Sequence, residues 1–136
     1  MFFTVKKFVF TVFLLCLYLS NNLLYANEVT IEKAVFSFNG SKWSVDVTLK
    51  HADTGWKHYA DAWRIVDAKG NPIAKRTLYH PHVKEQPFTR SLSSILIPED
   101  SKVVYIEAHD TVHKWSSKKL EVDLINNKRS NVKIFR

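Results

Sequence analysis

Apolar and polar residues alternate along most of the chain from residue 29 onward. In residues 42–50 (KWSVDVTLK), apolar side chains occupy every second position, namely Trp43, Val45, Val47 and Leu49. Alternate side chains of an extended strand point to opposite faces, so these four share one face. The pattern predicts a β-strand with one face in a core and the other in solvent.

The same period recurs in short segments that end at turn residues. Asn39-Gly40 joins the first two segments and is typical of a hairpin turn, and Gly70-Asn71 separates two later ones. Seven strands are predicted: residues 30–38, 42–50, 60–67, 72–79, 88–97, 102–110 and 119–124. Strands of this length and spacing, without a convincing long helix, predict an all-β fold, specifically an immunoglobulin-like antiparallel β-sandwich.

Residues 56–66 fit a second pattern. Their larger apolar residues also fall at helical spacings, and these are Trp56, Tyr59, Trp63 and Val66. Asp53 or Thr54 could cap such a helix. We expect a strand from about Ala60 instead, because hairpin residues follow it, and a loop or single turn over residues 52–58.

The chain begins with the features of a secretory signal peptide. Lys6 and Lys7 precede an apolar run over residues 8–19, and Ala26 is a small residue at a suitable cleavage position. We expect cleavage after Ala26, which makes residues 1–26 the signal peptide and places the protein in the periplasm or outside the cell. An uncleaved anchor over residues 8–24 is the alternative, since a span needs roughly 20 residues. After cleavage, no stable membrane span is expected.

The chain that follows is long enough for one domain with one core. We assign residues 27–124 to the sandwich and residues 125–136 to a basic C-terminal tail or an edge strand. Removal of residues 1–26, which carry two lysines and no acidic residue, lowers the net charge from +7 to +5. The basic tail could contact an anionic surface or an acidic partner, although a solvated tail or edge strand is the simpler expectation.

The sequence argues against several other function classes. Cys16, the only cysteine, follows Leu15, where a lipoprotein signal would have a small residue, so we expect no lipidation. The cleaved chain then has no disulfide and no thiolate ligand. It has no glycine-rich phosphate loop, no nucleophile elbow and no paired acid and base carboxylates, so an enzyme is less expected than a binding protein. A nucleic-acid partner is not expected, because no nucleic-acid-binding motif is present.

The six histidines form three pairs, each at the end of a predicted strand. The pairs are His51 and His58, His80 and His82, and His109 and His113. Loops of a β-sandwich can gather at one of its ends, where ligands often bind. The pairing therefore raises the hypothesis of a metal site built from loop histidines.

The candidate ligands are histidines and one carboxylate. Residues two apart in extended backbone share a side, so the two histidines of His80-Pro81-His82 could hold one ion. Asp110 could be a ligand or could orient a neighbouring imidazole. The candidates, in order, are His51, His58 and His113, then His80 and His82, then His109 and Asp110. Nitrogen and oxygen ligands suit Zn²⁺, Cu²⁺ or Fe²⁺ rather than Cu⁺.

The segment VYIEAHDTVHKWSSKKLEVDL resembles the last two strands of fibronectin type III and related immunoglobulin-like domains, and Trp63 matches the core tryptophan of an earlier strand in that scheme. This resemblance concerns the fold and carries no activity. As a whole, the chain is similar to small secreted bacterial proteins whose function is not known.

A second resemblance concerns function. KHADTGWKHYADAW is similar to a segment of superoxide reductases and desulfoferrodoxins, which are immunoglobulin-like sandwiches that bind a mononuclear iron. The resemblance implies that His51 and His58 are iron ligands, and that His113 in DTVHKW takes the place of a further histidine. Asp110 stands where that family has a cysteine ligand. This departure argues against superoxide reductase activity.

The remaining aromatic and basic residues have simpler explanations. Trp43 and Trp63 are expected in the core, whereas Trp56 and Trp115 lie in predicted loops beside histidines, where they could cover a metal or contact a ligand. Three strand arginines could form an anion-binding face but are usually solvated outer-face residues, and these are Arg64, Arg76 and Arg90.

Three functions remain open at this point. The first is a secreted or periplasmic metal carrier or accessory protein that uses loop histidines. The alternative is a metal-free interaction module that contacts a protein partner in the cell envelope. The third is a small non-heme iron redox enzyme, which Asp110 in the cysteine's place makes the least expected.

Overall fold

A computed structural model describes residues 28–136 of the protein. These residues form nine strands: β1 (Thr30–Phe38), β2 (Trp43–Lys50), β3 (Ala60–Val66), β4 (Pro72–Thr77), β5 (Phe88–Ile95), β6 (Val103–Asp110), β7 (Lys114–Trp115), β8 (Leu120–Asp123) and β9 (Val132–Phe135). One sheet has the order β5-β2-β1-β9. In the other sheet, β4, β3, β6 and β7 lie side by side, and β8 also pairs with β6.

The first sheet is built on the hairpin that the alternating pattern predicts. β1 and β2 are antiparallel, and Thr30 lies opposite Lys50 while Phe38 lies opposite Trp43. Gly40 has a φ of +92° in the connecting turn, a conformation that glycine adopts without strain. The apolar positions of β2 are buried and the intervening ones are more exposed, as the alternation requires.

The core lies between the two sheets. Its largest fully buried side chains are Trp63, Phe36, Phe88, Leu49, Ile65 and Ile106. Burial of each such side chain contributes roughly 1.5–3 kcal/mol relative to exposure, and this sandwich has no disulfide to add to that. Trp43 and Trp63 are both buried, which confirms their predicted place in the core.

The structure confirms the predicted all-β sandwich. Each of the seven predicted strands is present with ends shifted by no more than two residues, and β3 begins at Ala60 rather than continuing a helix from residue 56. Two short strands, β7 and β9, are additional. The prediction was of an antiparallel sandwich throughout. β9 departs from it, because it pairs with β1 in parallel.

The two predictions for the ends of the chain concern a basic C-terminal segment and a signal peptide. Residues 132–135 of the basic C-terminal segment form the edge strand β9. The predicted signal peptide and its cleavage after Ala26 lie outside the described residues. Within residues 28–136, no helix has the length and apolar character needed to cross a membrane.

Three loops meet at one end of the sandwich, which we call the histidine end. They are residues 51–59 between β2 and β3, residues 78–87 between β4 and β5, and residues 111–113 between β6 and β7. A backbone hydrogen bond joins two of them, in which the Thr111 N–H donates to the Tyr59 carbonyl at 3.1 Å. The strands therefore bring together segments that are far apart in sequence.

The outer face of the second sheet carries a three-residue ionic bridge. The buried Glu107 accepts from Arg64 Nε at 2.6 Å and from Lys119 Nζ at 2.8 Å. Burial alone would raise the pKa of Glu107, but the hydrogen bonds and charges of Lys119 and Arg64 outweigh it and hold that pKa below its ordinary value of 4.5. The bridge joins β3, β6 and the residue that precedes β8.

The change Glu107→Gln tests this bridge. We expect the free energy of unfolding at pH 7 to fall by about 1–3 kcal/mol, because two charge-assisted hydrogen bonds are weakened. The folded-state pKa is lowered, so the contribution of the ionised carboxylate is present above pH 4.5 and is lost as the pH falls through the folded-state value. Urea unfolding from pH 7 to pH 3 should show the gap between native protein and variant closing. Glu121→Gln, at an exposed position on β8, is the control, and a gap unchanged at pH 3 would contradict the prediction.

Candidate metal site

A buried carboxylate, Asp53, joins the loops of the histidine end. Its Oδ1 accepts the Ala60 N–H at 2.9 Å and lies 2.6 Å from His51 Nδ1, while its Oδ2 accepts the His82 N–H at 2.7 Å. The side chain of Asp53 has no exposed surface. One carboxylate therefore fixes the start of β3, the first histidine and the loop that carries His82.

The contact with Asp53 decides how His51 presents its ring. Because a carboxylate accepts hydrogen bonds, His51 Nδ1 carries the hydrogen, and the lone pair of the neutral ring is on Nε2. His51 Nε2 lies 3.9 Å from Oδ2 of a second buried carboxylate, Asp110. A carboxylate behind a histidine, with the other ring nitrogen facing forward, is the usual support of a metal-ligating histidine.

His58 faces the same point from the turn that precedes β3. The His58 N–H donates to the Gly55 carbonyl at 3.2 Å, and the Thr54 N–H donates to the His58 carbonyl at 3.0 Å. Gly55 permits this turn with a φ of +143°. The ring centroids of His51 and His58 are 4.8 Å apart. His58 Nε2 is buried 3.2 Å from Asp110 Oδ1, yet within the described part of the chain it makes no hydrogen bond of acceptable geometry.

Asp110 ends β6 and has no exposed surface. Its Oδ1 accepts the backbone N–H groups of Val112 and His113 at 2.9 and 2.7 Å, and His113 Nδ1 lies 3.2 Å from both carboxylate oxygens. Burial would raise the pKa of Asp110, but these N–H groups and the nearby imidazoles of His113 and His51 outweigh it and lower that pKa. The group is therefore an anion at neutral pH.

The three groups form a compact set of ligand atoms. One atom each from His51, His58 and Asp110 lies within 4.8 Å of the other two. Ligands about 2.0–2.1 Å from one ion lie at most about 4.2 Å apart, so closure on an ion needs a shift on the order of 1 Å. The set has the donor types and nearly the geometry of a metal site.

The charge balance of this set favours a cation. Among residues 28–136, neither Asp53 nor Asp110 forms an ion pair with a lysine or arginine, and their ionic partners are His51, His58 and His113. Two buried carboxylates without a fixed positive charge are costly, because each loses its hydration. A divalent ion at this point would supply the missing charge.

The structure separates the predicted ligands into two groups. His51, His58 and Asp110 converge, and His113 adjoins them through its contact with Asp110 and a ring distance of 5.1 Å from His58. The other candidates, which are His80, His82 and His109, do not point into the set.

The His80 and His82 rings lie together but are engaged elsewhere. Their centroids are 4.6 Å apart, and the His82 ring is stacked on Phe88 at 3.9 Å. His82 Nε2 accepts from Arg90 Nη2 at 2.9 Å, so a cation already occupies the ligand side of that nitrogen. Burial first, and then the charges of Arg90 and His80, lower the pKa of His82. His82 contributes to the site through its backbone N–H to Asp53 instead.

His109 lies on the outer face of β6, away from Asp110. Its Nδ1 contacts a carboxylate oxygen of Asp61, and its ring meets the Trp115 ring at 4.8 Å. The Arg64 guanidinium covers that tryptophan at 3.8 Å from the ring centroid. Trp115 is therefore part of an outer-face cluster rather than a cover over the converging ligands.

Asp53 is the site residue that sequence reasoning missed. Its only predicted role was that of a cap for a helix that does not form. The available signal was the spacing in His51-Ala52-Asp53, because a carboxylate two residues after a histidine can reach back to its ring.

The rim of the histidine end carries exposed aromatic side chains. Trp56 is 69% exposed and meets the Tyr59 ring edge to face at 5.7 Å, as a residue of the predicted loop beside the histidines. Tyr79, in the loop that follows β4, is 74% exposed. His58 and His113 are the partly exposed members of the site, so solvent reaches it on their side.

Comparison with known proteins adds one relative. A protein of Halomicrobium mukohataei with the name "Putative lipoprotein" is 34% identical to this chain over 96 residues, which is 71% of the chain and 45% of that protein. The chain thus spans less than half the length of this relative. No family model matches the chain. No solved structure matches it either.

The change Asp53→Ala tests the role of this carboxylate in the fold. We expect the free energy of unfolding to fall by about 3 kcal/mol or more, because three buried donors lose their acceptor at once. Urea unfolding followed by tryptophan fluorescence measures it. The control is Asp46→Ala, which removes an exposed carboxylate that accepts from Ser91 and should cost under about 1 kcal/mol. Equal losses in the two variants would refute the role assigned to Asp53.

Proposed function

We propose that this protein binds one transition-metal ion through His51, His58 and Asp110 and acts as a metal carrier or accessory protein of the cell envelope or the secreted space. The observation that carries the proposal is the convergence of two imidazole nitrogens and a buried carboxylate within 4.8 Å, with no lysine or arginine of residues 28–136 paired to that carboxylate. Asp53 supports the proposal because it holds the His51 ring with Nε2 turned toward Asp110.

The donor set indicates which ions would bind. Two imidazoles and one carboxylate suit Zn²⁺, Cu²⁺ and Fe²⁺, and the sandwich offers no sulfur ligand that would favour Cu⁺. Three protein ligands leave at least one position of the ion open on the side of His58 and His113. An open position fits a carrier, because a receiving protein can supply a ligand there before the ion leaves. His113 is the candidate for a fourth ligand if its ring turns from Asp110.

The resemblance to superoxide reductases bears on what the bound ion would do. The resemblance pairs His51 and His58 with iron ligands, but it aligns Asp110 with a cysteine. A carboxylate cannot supply the thiolate donation that tunes the iron in that family. We therefore favour binding and delivery of an ion over redox catalysis.

Two sequence-level observations support an envelope location. The first is the signal-peptide pattern of residues 1–26, and the second is the name of the Halomicrobium mukohataei relative, which describes that protein as a lipoprotein. Both are compatible with an exported protein that works outside the cytoplasm.

A second candidate function rests on the exposed aromatic rim. Trp56 and Tyr79 are largely exposed on loops of the histidine end, and aromatic side chains are enriched at protein contacts. A cell-envelope protein that covers this rim would be the partner of a metal-free interaction module. The same surface would serve a carrier when it docks with its receiver.

Metal binding distinguishes the candidates. Residues 27–136, which contain the entire described sandwich, are freed of metal and titrated with Zn²⁺, Cu²⁺ and, without oxygen, Fe²⁺ in a calorimeter. We expect one ion bound per chain. His58→Ala and Asp110→Asn should abolish stoichiometric binding, because each removes one of three ligands. Asp53→Asn should weaken it by about 10–100-fold, since it disturbs the support of His51.

The chain provides matched controls for that experiment. His80→Ala and His109→Ala remove imidazoles that lie outside the converging set, so the stoichiometry and affinity should stay unchanged. Absence of stoichiometric binding for all three ions would overturn the metal proposal and favour the interaction module. Loss of binding in His80→Ala but not in His58→Ala would place the ion elsewhere at this end.

A further inference from the structure

Exposed apolar side chains gather at the histidine end. Seven large apolar residues of the described chain are more than half exposed, and four of them lie in the three loops of this end. We call these four the apolar rim: Trp56 (69%), Tyr79 (74%), Val83 (54%) and Val112 (52%). Single exposed apolar residues are ordinary on a protein surface, but a group of them on adjoining loops indicates a surface that another body covers.

Hydrogen bonds hold the three loops against one another. Thr111 Oγ1 donates to the Lys57 carbonyl at 3.1 Å, which joins the loop after β6 to the loop after β2. The His51 N–H donates to Gln86 Oε1 at 3.0 Å, which joins the loop after β2 to the loop after β4. The apolar rim is therefore held as one surface by the fold.

Each of these loops also places an exposed lysine close to its apolar residue. The sequence reads Trp56-Lys57 in the first loop, Val83-Lys84 in the second and Val112-His113-Lys114 at the third. A fourth exposed lysine, Lys50, ends β2 at the same end of the sandwich. Among residues 28–136, none of these four lysines forms an ion pair.

Acidic side chains do not cancel this charge at the surface. Within the three described loops, the only exposed carboxylate is that of Glu85, and Arg90 lies 3.2 Å from it. The carboxylates of Asp53 and Asp110 are buried beneath the surface. The histidine end thus combines exposed apolar groups with lysines that no acidic side chain of the described residues pairs.

The kind of cation distinguishes two occupants of such a surface. Protein contact surfaces are enriched in aromatic residues and arginine but depleted of lysine. A membrane surface accepts tryptophan and tyrosine at the depth of the headgroups, and its anionic lipids attract lysine and arginine alike. The four lysines beside the apolar rim therefore favour a lipid surface over a protein surface.

We infer that the histidine end docks on an anionic membrane surface, with the apolar rim at the depth of the headgroups and the four lysines against lipid phosphates. The lysine stems would lie along the apolar groups while their ammonium groups reach the phosphates. Apolar contact or charge alone gives weak and reversible binding, so both contributions are needed. None of these residues is a proposed metal ligand, so the inference stands apart from metal binding.

Vesicle binding tests the inference. Metal-free protein of residues 27–136 is sedimented with vesicles of phosphatidylcholine alone, or of equal parts phosphatidylcholine and phosphatidylglycerol. We expect it to sediment with the phosphatidylglycerol vesicles at low salt. Binding should fall at least tenfold at about 1 M sodium chloride, where the screening length is about 3 Å. Tryptophan emission should move to shorter wavelength in the bound protein, because the Trp56 indole leaves water.

Two matched variants assign the apolar contribution. Trp56→Ser removes the largest side chain of the apolar rim, so it should weaken vesicle binding about tenfold or more and remove the emission shift. Ile125→Ser is the control, because Ile125 is equally exposed at 69% but follows β8, which runs away from the histidine end. This control should bind as the native protein does.

Two pairs of changes assign the charge contribution. Lys57→Glu together with Lys84→Glu reverses two charges beside the apolar rim and should weaken binding to phosphatidylglycerol vesicles more than tenfold. Lys42→Glu together with Lys102→Glu reverses as many charges on exposed lysines that precede β2 and β6, at the opposite end. The second pair should leave most of the binding in place.

The outcomes separate a lipid surface from the alternatives. If the native protein sediments no more with phosphatidylglycerol vesicles than with phosphatidylcholine vesicles, the inference is overturned and a protein becomes the favoured occupant of the apolar rim. Equal losses in the two lysine pairs, or in Trp56→Ser and Ile125→Ser, would also overturn it, because the binding would then not belong to this end. Neither result bears on the metal titration, which rests on other residues.

Discussion

The carboxylate of Asp53 is the contact on which the histidine end depends. It accepts from the start of β3, from the backbone at His82 and from the His51 ring, and it does so without exposure to solvent. Strands meet through repeated backbone bonds, but loops have no such ladder and need individual polar contacts to share one arrangement. A single carboxylate that accepts from three segments provides such contacts.

The histidine end buries charged groups, which costs free energy, whereas the sandwich core is apolar. Asp53 and Asp110 are buried carboxylates whose ionic partners within residues 28–136 are imidazoles. A fold selected for stability alone would place apolar residues or a lysine there, because a buried charge without a full counterion is unfavourable. Departures of this kind from otherwise consistent patterning are concentrated at functional sites. The β2 strand, with its regular alternation, shows how consistent the rest of the chain is.

Sequence reasoning was reliable where one period controls the structure. The alternation in residues 42–50 and the Asn39-Gly40 turn define β1 and β2 with nearly correct ends, because burial of one strand face depends only on neighbours in sequence. β9 was left open as a tail or an edge strand, since four residues carry little periodicity. Its parallel pairing with β1 depends on where a distant strand happens to leave an edge free.

The site was predictable only in part for the same physical reason. Residue types indicated histidine ligands, and His51, His58 and His113 were ranked first. The sequence could not show that the His82 ring would accept a hydrogen bond from Arg90 and stack on Phe88. Nor could it show that His109 would lie on the opposite face of the strand from Asp110. Asp53 escaped notice because only its contact with His51 is local, whereas its other two donors, at Ala60 and His82, come from 7 and 29 positions away.

The direction of β1 has a consequence for how the domain is displayed. Thr30 lies opposite Lys50, so the first strand begins at the histidine end and runs away from it, while the parallel β9 finishes near the opposite end. The start of the described chain and the loops that carry His51 and His58 therefore share one end of the sandwich, and the basic residue Arg136, beside Phe38 and Trp43, lies at the other. A molecule that covers the histidine end would thus meet the start of β1 and stay clear of the basic C-terminal residue.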